Sequence, residues 1–433
     1  MRMTENGKNS DPDSLEIAEE KATKYLYQRF FVLPVVGGVF GFHQTRWWSI
    51  FTKTVFTAYY VSVLSTIVTL SYSSYLNRDN MAVASGCIHI LITAFVVLGI
   101  SLTLQRLRKD VVQLLSLDEI ICEYQCSEYL SNLIRKSDKK LRFLLIFWVA
   151  LYGSSAWIAV IFPFIDVYLG YELSLSNVTD VYWKGLPFAS WWPMDADNSN
   201  LAWTTCFMSQ GLYAFFAASS ATSGMLCFAI FSEDIFNHIK LLVNSIERLE
   251  KRAKLMFKML HPGKSLRNSL DEYDECYYNC ILQNVKHHQK IVIKKDLLMK
   301  IANIPVAVPF FGGAMLLGLA GINLLSDGDI RIAPKVLFTC LGVTEAAQMF
   351  LLCHYGEQFR TQSELLFNAT FYTKCYRRSM KCKRAMMIFR LGVSRPMAIS
   401  AAKLIVLNMG TFANLVNSAY SIFNLQSITT QED

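Results

Sequence analysis

The chain has 433 residues, of which 53% are apolar and 18% charged, with a formal net charge of +8 and a mean hydropathy of +0.28. That is too apolar for one soluble core and long enough for several bilayer crossings of about 20 residues each, so the sequence predicts an all-α polytopic membrane protein. The positive balance does not point to nucleic acid, because the basic residues lie in loops flanking apolar stretches, where they set topology and meet anionic headgroups.

Residues 1–46 are polar, carry six Lys and Arg, and contain no apolar core of a leader. No cleaved signal peptide is expected, and the first span is expected to act as the insertion signal. Seven apolar stretches follow: Trp47–Leu70, Met81–Leu104, Leu141–Ile165, Thr204–Phe231, Leu297–Leu325, Ile332–Tyr355 and Pro396–Gln426. The gaps 105–140, 232–296 and 356–394 hold seven, twelve and eight basic residues, whereas 71–80, 166–203 and 326–331 hold one each, Arg78, Lys184 and Arg331. Cationic segments resist translocation, so the heavy gaps and the N-terminus are expected in the cytoplasm and, with seven spans, the C-terminus outside. This is the inverse of a G-protein-coupled receptor. Of two sequons, Asn177-Val-Thr and Asn368-Ala-Thr, only Asn177 then faces outward, and it is the expected glycosylation site. The implied organisation is a cytoplasmic segment 1–46, six helices with cytoplasmic extensions over 47–355, anchor helices over 356–394, and a seventh helix with its tail over 395–433.

The inner loops carry apolar residues at helical spacing: Val111, Leu114, Leu115, Ile120, Ile121 and Tyr124, then Leu241, Leu242, Ile246 and Leu249. Because an isolated helix with an apolar stripe needs a partner, these predict a packed cytoplasmic domain that holds subunits together, rather than extensions bathed in water. The outer loop holds Trp183, Pro187, Trp191, Trp192 and Pro193, which suit anchoring at the membrane interface better than capping a cavity.

Signatures of enzymes are lacking: there is no GxSxG, HExxH or phosphate-cradling glycine loop, and no Cys/His set spaced for a metal. Neither a cofactor nor a metal is expected. His287-His288 reads as a solvated pair in a Lys-rich inner helix. None of the eleven cysteines falls clearly in an outer loop, so no extracellular disulfide framework is expected. Lys53, Lys300 and Lys335 lie near span ends and can snorkel. Glu345 and Lys403 sit deeper, at similar depth, which raises the hypothesis that they pair.

In the last span Asn414, Ser418 and Ser421 share a face that runs to Leu425, a polar stripe that fits a pore lining or interhelical hydrogen bonds. In the outer halves of spans two, three, four and six stand Ile88 and His89; Ala150, Gly153 and Trp157; Met208 and Leu212; and Leu337, Phe338 and Leu341. Apolar, aromatic and small residues together suit a small hydrophobic ligand held by shape, although helix packing is the simpler reading of the spacing alone.

The sixth span ends Leu352-Cys353-His354-Tyr355-Gly356-Glu357-Gln358-Phe359, followed by Ser363-Glu364-Leu365 and Asn368-Ala369-Thr370-Phe371-Tyr372. The last span reads Arg395-Pro396-Met397, Ala401-Ala402-Lys403, Thr411-Phe412 and Ser418-Ala419-Tyr420-Ser421-Ile422-Phe423. These motifs resemble those of the insect odorant receptor family, and length, span count and topology extend the resemblance over the chain. Ile422 departs from the second Tyr of many relatives. The resemblance implies a tuning subunit of a ligand-gated, nonselective cation channel, assembled as a heterotetramer with the family co-receptor in the plasma membrane of olfactory sensory neurons. It also implies a volatile bound within the outer-half lining, with Trp157, Gly153, Met208 and Leu212 foremost, and a pore at Ser421, Leu425 and Gln426. The alternatives are a gustatory receptor of the related channel class and a transporter with broken helices, the latter suggested only by Pro305 and Pro309.

Overall fold

The structure, a computed structural model, describes residues 37–39, 46–79, 81–116, 127–168, 186–194, 199–266, 268–325 and 332–432. It is almost wholly helical. In chain order stand α1 (Arg46–Leu76), α2 (Met81–Arg106), α3 (Arg108–Ser116), α4 (Ser127–Tyr168), α5 (Asn200–Glu247), α6 (Leu249–Leu260), α7 (Leu270–Leu325) and α8 (Ile332–Phe371). A 3-10 turn (Cys375–Arg377), α9 (Met380–Val393), a two-stranded hairpin of β1 (Ser400–Ala401) and β2 (Ile405–Val406), and α10 (Met409–Glu432) complete it. The sequon at Asn177 and the loop residues Ile120, Ile121, Tyr124 and Trp183 lie outside the described residues.

Among the described residues six helices, α1, α2, α4, α5, α7 and α8, are long and apolar enough to cross a membrane. Helices α4, α5, α7 and α8 have 42, 48, 56 and 40 residues, about twice what a bilayer needs, so each continues well beyond it. Val61, Leu64 and Val68 on α1, and Phe143 and Ile146 on α4, are exposed. Apolar side chains fully at the surface are costly in water and neutral in lipid, which is where this band belongs.

The continuations do not stand in water alone. Leu241, Leu242, Ile246 and Leu249 are buried, as are Val111 and Leu114. Val111, Leu114, Leu242, Ile246 and Leu249 join Phe231, Phe236, Tyr277, Ile281, Tyr355, Phe359 and Leu366 in one core. Helix α7 is its hub, packing against α2, α3, α5, α6, α8, α9, α10 and β1. It runs unbroken through Pro305 and Pro309, unlike the discontinuous helix of a transporter. Charge ties α9 and the turn before it to α7: Arg378 lies 4.5 Å from the Tyr273 ring centre and 3.7 Å from Asp274, and Lys381 is 2.7 Å from Glu275.

Two expectations about charge are corrected. His287 is not solvated. It is buried, with Nε2 3.0 Å from His238 Nδ1; His238 Nε2 is 2.9 Å from Lys294 Nζ, which donates to Asp234 Oδ2 at 2.7 Å. This chain of polar groups links α5 to α7. Beside it, Tyr355 donates to Glu233 Oε1 at 3.2 Å, and Glu233 is also paired with Lys140. Nor do Glu345 and Lys403 meet. Glu345 faces His89, whereas Lys403 is exposed in the hairpin turn.

That hairpin corrects the start of the last span. Residues 396–408 are not helical, and α10 begins at Met409. Ser400 pairs with Val406 and Ala401 with Ile405, and the turn holds Ala402 at φ 50° and Lys403 at φ 62°. Two consecutive positive φ values define the tight turn that matches strand twist, normally reserved for Asn-Gly or Gly. The hairpin is pressed onto α8. Met397 N–H donates to Ser363 Oγ at 3.0 Å, and a Cβ built on Gly356 would collide with the Leu407 carbonyl, whose carbon would lie 2.8 Å away. Two motif residues thus serve to seat the start of α10. Gly356→Ala is expected to destabilise the protein by about 1–3 kcal/mol, because the overlap is with backbone, and outweighs the ~1 kcal/mol helix preference for Ala. A thermal-shift assay of the purified protein would read this as a lower melting temperature; an unchanged or higher one would contradict it.

Candidate ligand cavity

Helices α2, α4, α5, α7 and α8 surround a largely apolar cavity. Small residues open it. Ala214, Ala217, Ala218 and Ala221 recur on one face of α5, Ala156 and Ala159 on α4, and Gly313 with Pro309 on α7; larger apolar groups, Ile90, Val97, Tyr213, Leu316 and Met349, fill the spaces between. Polar lining is confined to Thr93, Tyr152, Ser155, Thr344, Glu345 and Gln348. Tyr152 donates to Gln348 Oε1 at 2.7 Å, which holds two of these side chains to each other across α4 and α8.

The outer loop closes one end. Gln210 of α5 is buried and holds the loop with both ends of its amide: it accepts from Phe188 N–H at 2.8 Å and donates to Phe188 O at 3.2 Å and to Ser190 Oγ at 2.6 Å. Ser73 of α1 adds a bond to Ala189 O at 3.0 Å. The Phe188 ring thereby reaches the cavity and meets Tyr213 edge-on, 5.9 Å between centres. Trp191 packs on Tyr72 and Trp192 donates to Ser190 Oγ, so the described part of this loop is a lid over the helices as well as a surface aromatic group.

Of the residues selected from sequence, Leu337 and Leu341 line the cavity. The others do not. Trp157, Met208 and Leu212 are about half exposed on the outer surface, Trp157 packing there on Phe215. Ala150 is exposed, and a Cβ at Gly153 would meet nothing within 4 Å. Ile88, His89 and Phe338 are not part of the lining, and His89 and Phe338 are in edge contact at 5.4 Å. The difference is one of helical phase: on α4 the cavity face is 152, 155, 156 and 159, and on α5 it is 213, 214, 217, 218 and 221. The small-residue pattern Ala214, Ala217, Ala218, Ala221 was the signal that could have located it.

On α10, Asn414, Asn417, Ser418 and Ser421 are exposed, while Leu415 is buried and Phe412 stacks edge-on to Phe350 of α8. The helix is held by one side on α7 and α8 and presents its polar face away from the chain. The side chains of Leu425 and Gln426 lie outside the described residues.

The fold is that of a multipass helical membrane protein with a lidded, largely apolar cavity. Residues 79–420 match the 7tm Odorant receptor family, and the chain belongs to that family, which is one of receptors and not of enzymes. Among curated relatives, Odorant receptor 85b of Drosophila melanogaster is 22% identical over 242 residues, 56% of each chain. Odorant receptor 2a of the same species is 22% identical over 160 residues, 36% of this chain and 39% of its own. The chain thus spans about half the length, or less, of the curated relatives it matches. The insect olfactory receptor OR5 from Machilis hrabei, solved in complex with eugenol, superposes with a TM-score of 0.72 over 94% of this chain and 98% of that one, at 13% identity. A second structure of the same receptor superposes with the same TM-score of 0.72, at 15% identity. At such identity the fold is what is shared.

Proposed function

We propose that this chain is the odorant-binding subunit of a ligand-gated cation channel. A small volatile occupies the cavity between α2, α4, α5, α7 and α8, and α10, facing its counterparts in a heterotetramer with the family co-receptor, lines the pore. The observation that carries the reading is that α7 and α8, which wall the cavity, are also the helices on which α10 rests. A ligand that fits the cavity better when α7 and α8 are displaced shifts the equilibrium toward that arrangement, and only such differential binding can do so. Burying ~150–200 Å² of apolar ligand supplies about 4–5 kcal/mol at about 25 cal/mol per Å², enough to move a poised gate.

The reading includes seven spans with a cytoplasmic N-terminus, residence in the plasma membrane of olfactory neurons, a glycan on Asn177, and Ser421, Leu425 and Gln426 near the outer gate. It is supported by the charge asymmetry of the loops, by the exposed polar face of α10, and by the eugenol-bound relative of the same fold. Current recorded from cells expressing the chain with and without the co-receptor tests it. A volatile-evoked cation current is expected only when both are present; its absence with both at the cell surface would overturn the reading.

A further inference from the structure

The polar side of the cavity is not evenly satisfied. Tyr152 and Gln348 bond each other, and Thr344 donates to Cys340 O at 2.7 Å and lies 3.4 Å from Ser155 Oγ. Glu345 differs. Its Oε1 is 2.9 Å from Nε2 of the wholly buried His89, close enough for an ion pair although not aligned as a hydrogen bond, and its Oε2 is buried with no hydrogen-bond partner. Buried acceptors are rarely left so, because desolvating a carboxylate oxygen without a donor is among the costlier things a fold can do. Glu345 also lines the cavity, so the missing donor can come from whatever occupies it.

The lining narrows the donor. Glu345 apart, no residue that lines the cavity carries a charge, and bringing a full charge out of water into such a lining is costly. A neutral hydroxyl supplies the hydrogen bond without that cost. Ile90, Val97, Leu316, Leu337 and Leu341 meanwhile offer only apolar contact to the rest of the molecule.

Resting on the odorant-receptor reading, we infer that Glu345 is the polar anchor of the cavity and that it selects apolar molecules carrying one hydroxyl, whose O–H donates to Glu345 Oε2, over aprotic molecules of the same shape. His89 is the positioning residue that holds the carboxylate. A site built to bond a hydroxyl discriminates strongly against the analogue lacking it, because the site's own polar group is then left unpaired.

The test uses the full receptor co-expressed with the co-receptor, and three series of matched length: 1-alkanols of six to eight carbons, the methyl ethers with the same number of heavy atoms, and n-alkylamines. The alkanol is expected to act at a concentration at least tenfold lower than its ether, and Glu345→Met to bring the two together. Glu345→Gln, which keeps an acceptor oxygen, should retain the preference for the alkanol. Should Glu345→Met fail to reach the surface, the double variant His89→Phe with Glu345→Met removes both polar partners and leaves no unmatched group. Equal potency of alkanol and ether in the unmodified receptor, a preference for the amine, or an alkanol preference that survives Glu345→Met would each overturn the inference. If other volatiles open the channel and the alkanols do not, the inference alone falls; if no volatile opens it, the receptor reading falls with it.

Discussion

Lys294→Met is expected to lower stability by about 3–5 kcal/mol, the cost of breaking a buried ion pair by removing one partner. Lys294 is 1% exposed, and its ammonium meets Asp234 at 2.7 Å and His238 at 2.9 Å. Without it, Asp234 and the two histidines keep their desolvation and lose the charge that compensates it. The group also joins α5 to α7, the two longest helices, so the loss falls on the interface that carries the inner half of the protein. Lys294→Arg should not restore stability, since a planar guanidinium cannot occupy the position of a compact ammonium between Asp234 and His238. A double change that replaces Lys294 and Asp234 by apolar residues of similar size should recover most of it, because a well-packed apolar pair costs less than half an ion pair. Thermal unfolding of the purified receptor in nanodiscs separates these cases. A Lys294→Met protein that melts with the unmodified one would show that the network is solvated and dispensable.

The same network marks what the sequence could and could not convey. Hydropathy gave seven spans, six of which coincide with helices long and apolar enough to cross a membrane, because a run of about 20 apolar residues matches the thickness of a bilayer and is too long for the core of most soluble helices. Leu241, Leu242 and Ile246 announced by their spacing that the inner extensions pack. The motif around Tyr355 and Gly356 was visible, and its physical sense came only with the Leu407 carbonyl above Gly356 and Glu233 beside Tyr355. His287 was misjudged because its partner His238 is 49 positions away, and no local pattern encodes such a meeting. The turn at Ala402-Lys403 was hidden for the opposite reason: its local chemistry argues against a left-handed pair, and the packing of Met397 and Leu407 on α8 overrides it. Phase was lost on α4 because a span apolar on every side looks alike toward lipid and toward a cavity. Trp157 drew attention by size, whereas the lining there is made by Ser155, Ala156 and Ala159.

Ala217→Phe is expected to raise the concentration of any activating volatile by a hundredfold or more, or to abolish its response. Ala217 is 8% exposed and lines the cavity from α5, a helix whose surroundings are otherwise closely packed. A benzyl group there has only the cavity to enter, and it takes the volume a ligand of comparable size would occupy. Loss of ~4–5 kcal/mol of apolar ligand burial at about 25 cal/mol per Å² is worth roughly three orders of magnitude in affinity. Because the ring fills a void rather than a packed core, stability and co-receptor assembly should be retained, as cavity-filling substitutions commonly are neutral or stabilising. Trp157→Ala provides the opposite control. It removes a larger side chain from the outer surface of α4, half exposed and away from the cavity, and its effect on potency should be far smaller. If Trp157→Ala abolished the response to volatiles while Ala217→Phe left it intact, binding would have to occur on the lipid-facing side of α4 and α5, and the enclosed cavity would lose its claim to the ligand.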